Sequence, residues 1–389
     1  MSHYDLAVVG AGIVGLAHAL AAVKRGKRVV VIDRDARAVG ASIRNFGFVT
    51  VTGQQAGQAW ERAMRSREIW DEVAPAAGIP VIHRGLAVVA RSPEALAVLE
   101  AFLATPMGKA CRLLSAEDAL QRYPVLRPEG VTGCLWSPHE RRVESRDAIS
   151  QLTAYLVSLG VTVMPGTLVK AVEPPAVETT AGVVRADACV ICPGDDFLSL
   201  FPERIAAYGL RRSKLHMLRL ASQPAHWKLP GSVMSDLSLV RYLGYAELPA
   251  AAALRARLER EKPQALANGI HLIVVQSADG SLVVGDSHHY DNPPDPFASD
   301  AVDRIILDCA HEVLDIPNPQ VIERWTGVYA SSAERLALVD SPRDAVRVVM
   351  VTSGTGASTG FAIGEEVIAD LFGAHAENAQ AVTRTETDC

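Results

Sequence analysis

The stretch YDLAVVGAGIVGLAHALAAVKRGKRVVVIDRD, Tyr4 to Asp35, decides the fold. Leu6 to Gly10 is a short apolar run with β-branched residues, the pattern of a buried strand. Gly10, Gly12 and Gly15 then space out G-x-G-x-x-G. Gly10 permits a tight turn, Gly12 lets the backbone approach a pyrophosphate, and Gly15 lets the next helix pack close to the strand. From Ile13 and Val14 onward the chain is rich in Ala and Leu and predicts a helix ending at Gly26. Its N-terminus offers free N–H groups and the positive end of the helix dipole to phosphates. RVVVID reads as a second strand with Asp33 at its end and Arg34 after it. An acid about 20 residues beyond the glycines suits a ribose hydroxyl and disfavours a 2′-phosphate, so NADP is not expected. A glycine turn alone would say little. Strand, glycines, helix, strand and acid in that order predict a dinucleotide site.

At 389 residues the chain exceeds one simple core, and two to three domains are expected. Hydrophobic residues make up 49% and charged residues 21%, the profile of a packed globule. The net charge of −6, with no basic block, argues against a nucleic-acid partner. No apolar run is long enough to span a bilayer. The start reads as strand and turn rather than as a signal peptide, so a cytoplasmic location is expected. The six cysteines are scattered. Cys189 and Cys192 form a CxxC, but alternation along an apolar strand keeps them from sharing a metal, and they are expected to be core residues. No metal site is expected. In "HH", His288 and His289, neighbouring strand residues point to opposite faces and rarely share an ion.

The segment AVGASIRNFGFV, Ala38 to Val49, is a Gly/Ser/Asn-rich loop where an NAD domain would continue with helix and strand. Here the chain resembles the D-amino-acid oxidase, glycine oxidase and sarcosine oxidase family of FAD-dependent amine oxidoreductases. The resemblance implies a loop running under the flavin and its phosphates, with Ser42, Arg44 and Asn45 as contacts. GVTVMPGTLVKAVEP and AGVVRADACVICPG look like the family's second nucleotide-contacting unit, with Val169 meeting adenine through its backbone and Gly194 closing the unit. VRVVMVTSGTGASTGFAIGEEVIADLFG reads as strand, glycine turn and helix. In the family that turn points at the flavin pyrimidine edge, where a helix N-terminus stabilises the charge that reduction places there. Gly354, Gly356, Thr359 and Gly360 are the candidates, and Thr359 could instead cap the helix.

The implied fold is α/β, α+β overall: a Rossmann-like FAD-binding domain carrying an inserted antiparallel-sheet substrate domain. The FAD-binding part would be discontinuous, residues 1–80, 140–200 and 325–373. The substrate part would be 81–139 and 201–324, and 374–389 reads as a disordered tail. SADGS between two apolar runs predicts a hairpin. PFASDAVDRIILDCAHEVL predicts an amphipathic helix capped by Ser299.

The resemblance implies hydride transfer from an amine's carbon to flavin N5. The imine then hydrolyses, and oxygen reoxidises non-covalent FAD to give hydrogen peroxide. It implies no catalytic residue beyond the flavin. Two departures bear on the substrate. Glycine and D-amino-acid oxidases hold the substrate carboxylate with an arginine where this chain has Tyr329. Sarcosine oxidases use a lysine where this chain has Ala362. Their cysteine for covalent flavin, near Gly327 and Val328, is also missing. Arg44, His216, Tyr242, His288 and Tyr329 remain as substrate-binding candidates, a set suited to a tetrahedral dianion. The chain looks closer to a branch of the family associated with breakdown of aminophosphonates, such as 2-aminoethylphosphonate or its N-methyl form, than to glycine oxidase. A glycine, sarcosine or D-amino-acid oxidase or dehydrogenase with an atypical carboxylate anchor is the alternative. The sequence leaves the oligomeric state open.

Overall fold

A computed structural model describes residues 3–373 of the chain. The expected tail, 374–389, lies outside the described residues.

Two sheets organise the molecule. The first has eight strands, and its main path runs Ala337–Arg343, Val346–Val351, Gly182–Ile191, His3–Val9, Val29–Ile32, Thr162–Met164. All neighbours on that path are parallel except the edge strand Ala337–Arg343. Val29–Ile32 is buried at all four positions, as a central parallel strand covered on both faces must be. The antiparallel hairpin Val169–Glu173 and Ala176–Thr179 continues into Gly182–Ile191. Helix Ile13–Val23 packs against this sheet and against helix Gly356–Phe372.

The second sheet has ten strands and is mostly antiparallel. Val81–Ala90 and Gly133–Val143 form one long pair, and Arg211–Leu220 and Val321–Ser331 another. The expected hairpin at SADGS joins Ile273–Gln276 to Leu282–Gly285. Two expected domain boundaries, 139/140 and 324/325, fall inside the strands Gly133–Val143 and Val321–Ser331. Phe48–Val49, from the first segment, also pairs into this second sheet. Gly133–Val143 and Val321–Ser331 both belong wholly to the second sheet.

Helix Asp300–Val313 begins after Ser299 as expected, but the Ser299 side chain makes no capping bond; its carbonyl accepts from Asp303 N. Among the described residues no helix is long and apolar enough to cross a membrane. Cys111, Cys134, Cys189, Cys192 and Cys309 are free, and burial pushes the Cys189 thiol up to about 12.

Candidate active site

One cavity of about 560 Å³ runs from the glycine turn to the second sheet. At one end the turn is built as the sequence predicts. Gly10 has φ +103°, and a Cβ there would sit 2.4 Å from the Cys192 carbonyl oxygen. A Cβ on Gly15 would lie 1.9 Å from the Gly10 oxygen, so strand and helix could not close. A Cβ on Gly12 would meet only Ser42 Oγ, at 3.0 Å, which leaves that backbone bare to the cavity. Ile13 N donates to Ser42 Oγ at 3.0 Å, tying the loop to the helix start.

Asp33 stands at the end of Val29–Ile32 and lines the cavity. Its Oδ2 accepts from Ala11 N at 2.6 Å and its Oδ1 from Asp35 N at 2.8 Å. The carboxylate thus shapes the glycine turn, and its remaining lone pairs suit ribose hydroxyls. Arg34 also lines the cavity and donates to Asp196 at 2.7 Å. Val14, Val169 and Gly194 line the same end. At the far side Gly354, Thr355, Gly356, Ala357 and Ser358 bring a turn and a helix N-terminus to the wall. That end is anchored from behind: Trp70 Nε1 donates to Ala357 O, and Thr50 N to Ser358 Oγ, both at 2.8 Å.

Two cofactor expectations need correction. Thr359 and Gly360 do not line the cavity, because both lie one turn into the helix Gly356–Phe372. Thr359 Oγ1 donates to Thr355 O at 3.0 Å, so it neither caps the helix nor faces the site. Gly360 faces Val14 in the helix–helix contact. Asn45 reaches the cavity, but its amide is engaged within its own loop, donating to Ala41 O and Ser42 O and accepting from Gly47 N.

On the second-sheet side, Arg44, Tyr242, His288 and Tyr329 all line the cavity. Arg44 is exposed, with Nη1 donating to Thr326 O at 3.4 Å. His216 does not line it. Alternation along Arg211–Leu220 turns Leu215 into the cavity and His216 to the opposite face. There His216 Nδ1 lies 3.0 Å from buried Asp303, which also accepts from Arg324. The same rule separates the histidine pair: His288 faces the cavity, while the His289 ring sits 5.7 Å from that of His216.

The structure adds three residues that the sequence reading passed over. Arg241, His271 and Asp286 all line the cavity. Arg241 follows the short helical turn Asp236–Val240, and its Nη2 donates to Tyr290 Oη at 2.9 Å. His271 precedes Ile273–Gln276, and Asp286 ends Leu282–Gly285, so one hairpin holds both. The His271 Nε2 and Asp286 Oδ1 atoms are 3.0 Å apart. Burial pushes Asp286 up to about 7, against the pull of Arg241. Burial, with Arg241 adding to it, holds His271 and His288 well below the usual histidine range, so both are neutral. Burial also raises the Tyr242 and Tyr329 hydroxyls, which therefore stay protonated donors. "GDSHH" carried a signal, a carboxylate two residues from a cavity histidine. Arg241 carried none, because "DLSLVRYLG" reads as an ordinary half-buried turn.

A parallel sheet with a bare glycine turn, an acid at the next strand's end and a distant helix N-terminus on one cavity defines a dinucleotide-dependent enzyme. The chain matches the FAD dependent oxidoreductase family, DAO, over residues 5–371, and it belongs to that family. FAD is the cofactor, and the bare glycine turn, Asp33 and the Gly354–Gly356 turn fit it. Among curated proteins the chain is similar to the glycine oxidase of Geobacillus kaustophilus, 25% identical over 209 residues, 50% of this chain and 55% of that protein. It is also similar to the bifunctional protein ThiO/ThiG of Nostoc sp., 24% identical over 201 residues, 49% of this chain and 31% of that protein. The matches thus span about half and about a third of those relatives. Among solved structures the fold is that of Bacillus cereus glycine oxidase, with TM-score 0.75, 16% identity and 97% of each chain covered. The L-proline dehydrogenase of P. horikoshii shares it too, with TM-score 0.73, 18% identity and 95% and 94% covered.

Proposed function

We propose that this chain oxidises a small amine that also carries an anionic group. Hydride leaves the carbon beside nitrogen, and the resulting imine is hydrolysed to an aldehyde. FAD, which the glycine turn, Asp33 and the Gly354–Gly356 turn would hold, would supply a hydride acceptor at N5 and a route for the electron pair to oxygen, with hydrogen peroxide as the product. The chain's own residues bind and orient the amine and exclude water around it. The first sheet holds the nucleotide, and the second supplies the groups that face the substrate. The free cysteines fit a reducing cytosol.

Arg241 on the cavity wall carries this reading. The arginine position of glycine oxidases is Tyr329 here, and the lysine position of sarcosine oxidases is Ala362, only 4% exposed inside a helix. Arg241 offers a cation from a different element. The Tyr242, Tyr290 and Tyr329 rings line the same cavity. A guanidinium with several hydroxyl donors provides more hydrogen bonds than a planar carboxylate accepts comfortably, and suits a tetrahedral dianion. The substrate class we favour is therefore an aminophosphonate, such as 2-aminoethylphosphonate or its N-methyl form. A glycine, sarcosine or D-amino-acid substrate is the second reading. The likeness to a glycine oxidase supports it, and Arg241 alone could then hold the carboxylate.

Anaerobic bleaching of the yellow holoenzyme separates the two. The panel is glycine, sarcosine, D-alanine, 2-aminoethylphosphonate and N-methyl-2-aminoethylphosphonate. Fast bleaching by a phosphonate alone is the expected result. Bleaching by glycine or sarcosine instead gives the site to the second reading.

A further inference from the structure

Asp286 is 5% exposed on the cavity wall, and its Oδ1 has no hydrogen-bond partner. A buried carboxylate whose nearest polar neighbours on the cavity wall are two neutral imidazoles is held at a cost that a cationic ligand would relieve. Two imidazoles flank it. His271 Nε2 lies 3.0 Å from Oδ1, and His288 Nε2 lies 3.7 Å from Oδ2. The tautomer of His288 follows from its other nitrogen. Nδ1 is 3.0 Å from Gly269 O, and a carbonyl only accepts, so Nδ1 carries the proton and donates it. Neutral His288 therefore turns a lone pair on Nε2 toward the carboxylate. Two acceptors facing each other repel unless a proton or a cation lies between them.

The remaining charged or titratable groups on this side of the cavity are Arg44, Arg241, Tyr242, Tyr290 and Tyr329. Arg241 donates to Tyr290, and the Tyr242 and Tyr329 hydroxyls stay protonated. The wall thus has a donor end for an anion and an acceptor end, at Asp286, for a cation.

We propose that Asp286, backed by His288, binds the ammonium group of the substrate and takes its proton. This rests on the amine-oxidation reading above. One N–H bond of the ammonium breaks, and its electron pair stays on nitrogen as the lone pair. The proton moves to an Asp286 carboxylate oxygen, where it lies between the carboxylate and the His288 Nε2 lone pair. The freed lone pair then becomes the C=N bond as hydride leaves the adjacent carbon. With Asp286 at about 7, the carboxylate is mostly ionised at pH 8 and mostly protonated at pH 6.

Two measurements on the holoenzyme test it. The first follows binding of methylammonium and of tetramethylammonium by the change in flavin absorbance, for wild type, Asp286→Asn and Asp286→Glu. Wild type is expected to bind methylammonium about tenfold more tightly at pH 8 than at pH 6, because only the ionised fraction is competent. Asp286→Asn should lose that pH dependence and bind at least tenfold more weakly at pH 8, and Asp286→Glu should restore part of it. The second follows anaerobic flavin reduction by whichever amine of the panel bleaches. Asp286→Asn should lower the limiting reduction rate at pH 8 at least tenfold while the retained yellow spectrum shows an intact FAD site. Unchanged methylammonium binding in Asp286→Asn, or an unchanged limiting reduction rate, overturns the proposal. The outcomes also separate it from the parent reading. Amine oxidation that ignores Asp286→Asn leaves that reading standing and removes this one. Asp286-dependent methylammonium binding with no amine bleaching the flavin keeps the cation site and removes amine oxidation.

Discussion

At the scale of single residues, charge placement decides what the cavity accepts. In the proposed function Arg241 is the cation that meets the substrate anion, and its Nη2 donates to Tyr290 Oη. Removing it leaves a substrate anion without its partner, a loss of about 2 to 5 kcal/mol for a buried charged pair. Arg241→Ala is expected to raise KM for the best amine by about a hundredfold, and Arg241→Lys to recover only part, because a single ammonium cannot reproduce the guanidinium fork. Steady-state kinetics of hydrogen peroxide release give that comparison directly. His18 makes a second, independent prediction. It is fully buried in helix Ile13–Val23, with Nδ1 donating to Val14 O at 2.7 Å and Nε2 without a partner. Burial lowers it from 6.5 to about 4. A group with a depressed folded pKa contributes stability that is present above its unfolded value and lost as pH falls toward the folded one. Stability should therefore drop between pH 6.5 and 4, with His18 contributing on the order of 3 kcal/mol. His83, lowered to about 3, adds in the same direction. Asp286 acts oppositely: its raised value stabilises the fold at low pH, and that contribution is lost as pH rises through about 7. In thermal melts from pH 7 to 4, His18→Leu should show a flatter decline than wild type. An equal slope in both would mean that His18 is not buried neutral.

At the scale of elements, the crossing of helices Ile13–Val23 and Gly356–Phe372 fixes the cavity's two helix ends relative to each other. Two glycines of the second helix sit at that crossing with different room. A Cβ on Gly364 would lie 2.9 Å from the Ala17 backbone carbon and oxygen, which cannot yield without moving the helix. A Cβ on Gly360 would lie 3.8 Å from Val14 Cα, an ordinary contact. Gly364→Ala is expected to destabilise by about 1 to 3 kcal/mol through overpacking. Gly360→Ala should be neutral or stabilise by up to about 1 kcal/mol, since alanine favours a helix interior. Paired melting curves test the contrast, and equal losses in both variants would deny that the close approach is local to Gly364. The Gly10 to Asp33 unit was legible in the sequence because its chemistry is local: each glycine and the acid act within one strand–helix–strand segment. The second sheet was legible as alternating runs and one hairpin. Its register was not, so His216 was expected in the cavity although strand alternation turns it away. Thr359 was misplaced for a similar reason, since the helix starts at Gly356 and carries it past the wall.

At the scale of the whole molecule, the cavity joins pieces that are far apart in sequence. Gly10 to Gly15, Ser42, Val169, Gly194 and the Gly354–Ser358 turn all reach it. Arg241, His271 and Asp286 come from the second sheet and meet those pieces only when both sheets are assembled. Nothing local marks such residues, which is why the sequence pointed to Tyr242, His288 and Tyr329 on this wall but passed over Arg241, His271 and Asp286. The same assembly makes FAD a structural ligand. A ligand that binds only the folded chain stabilises it by RT ln(1 + [L]/Kd), so each tenfold rise in excess FAD adds about 1.4 kcal/mol. Unfolding entropy scales with chain length, so that increment is expected to raise the melting temperature of a chain this size by roughly 2 °C. FAD-stripped protein should therefore melt lowest and climb evenly with the logarithm of added FAD. Asp33→Ala should shift the whole series to higher FAD, because it removes the acceptor that holds Ala11 N in the glycine turn. A melting temperature indifferent to FAD would mean that the folded chain does not bind the nucleotide, and would remove the cofactor site that these distant segments build.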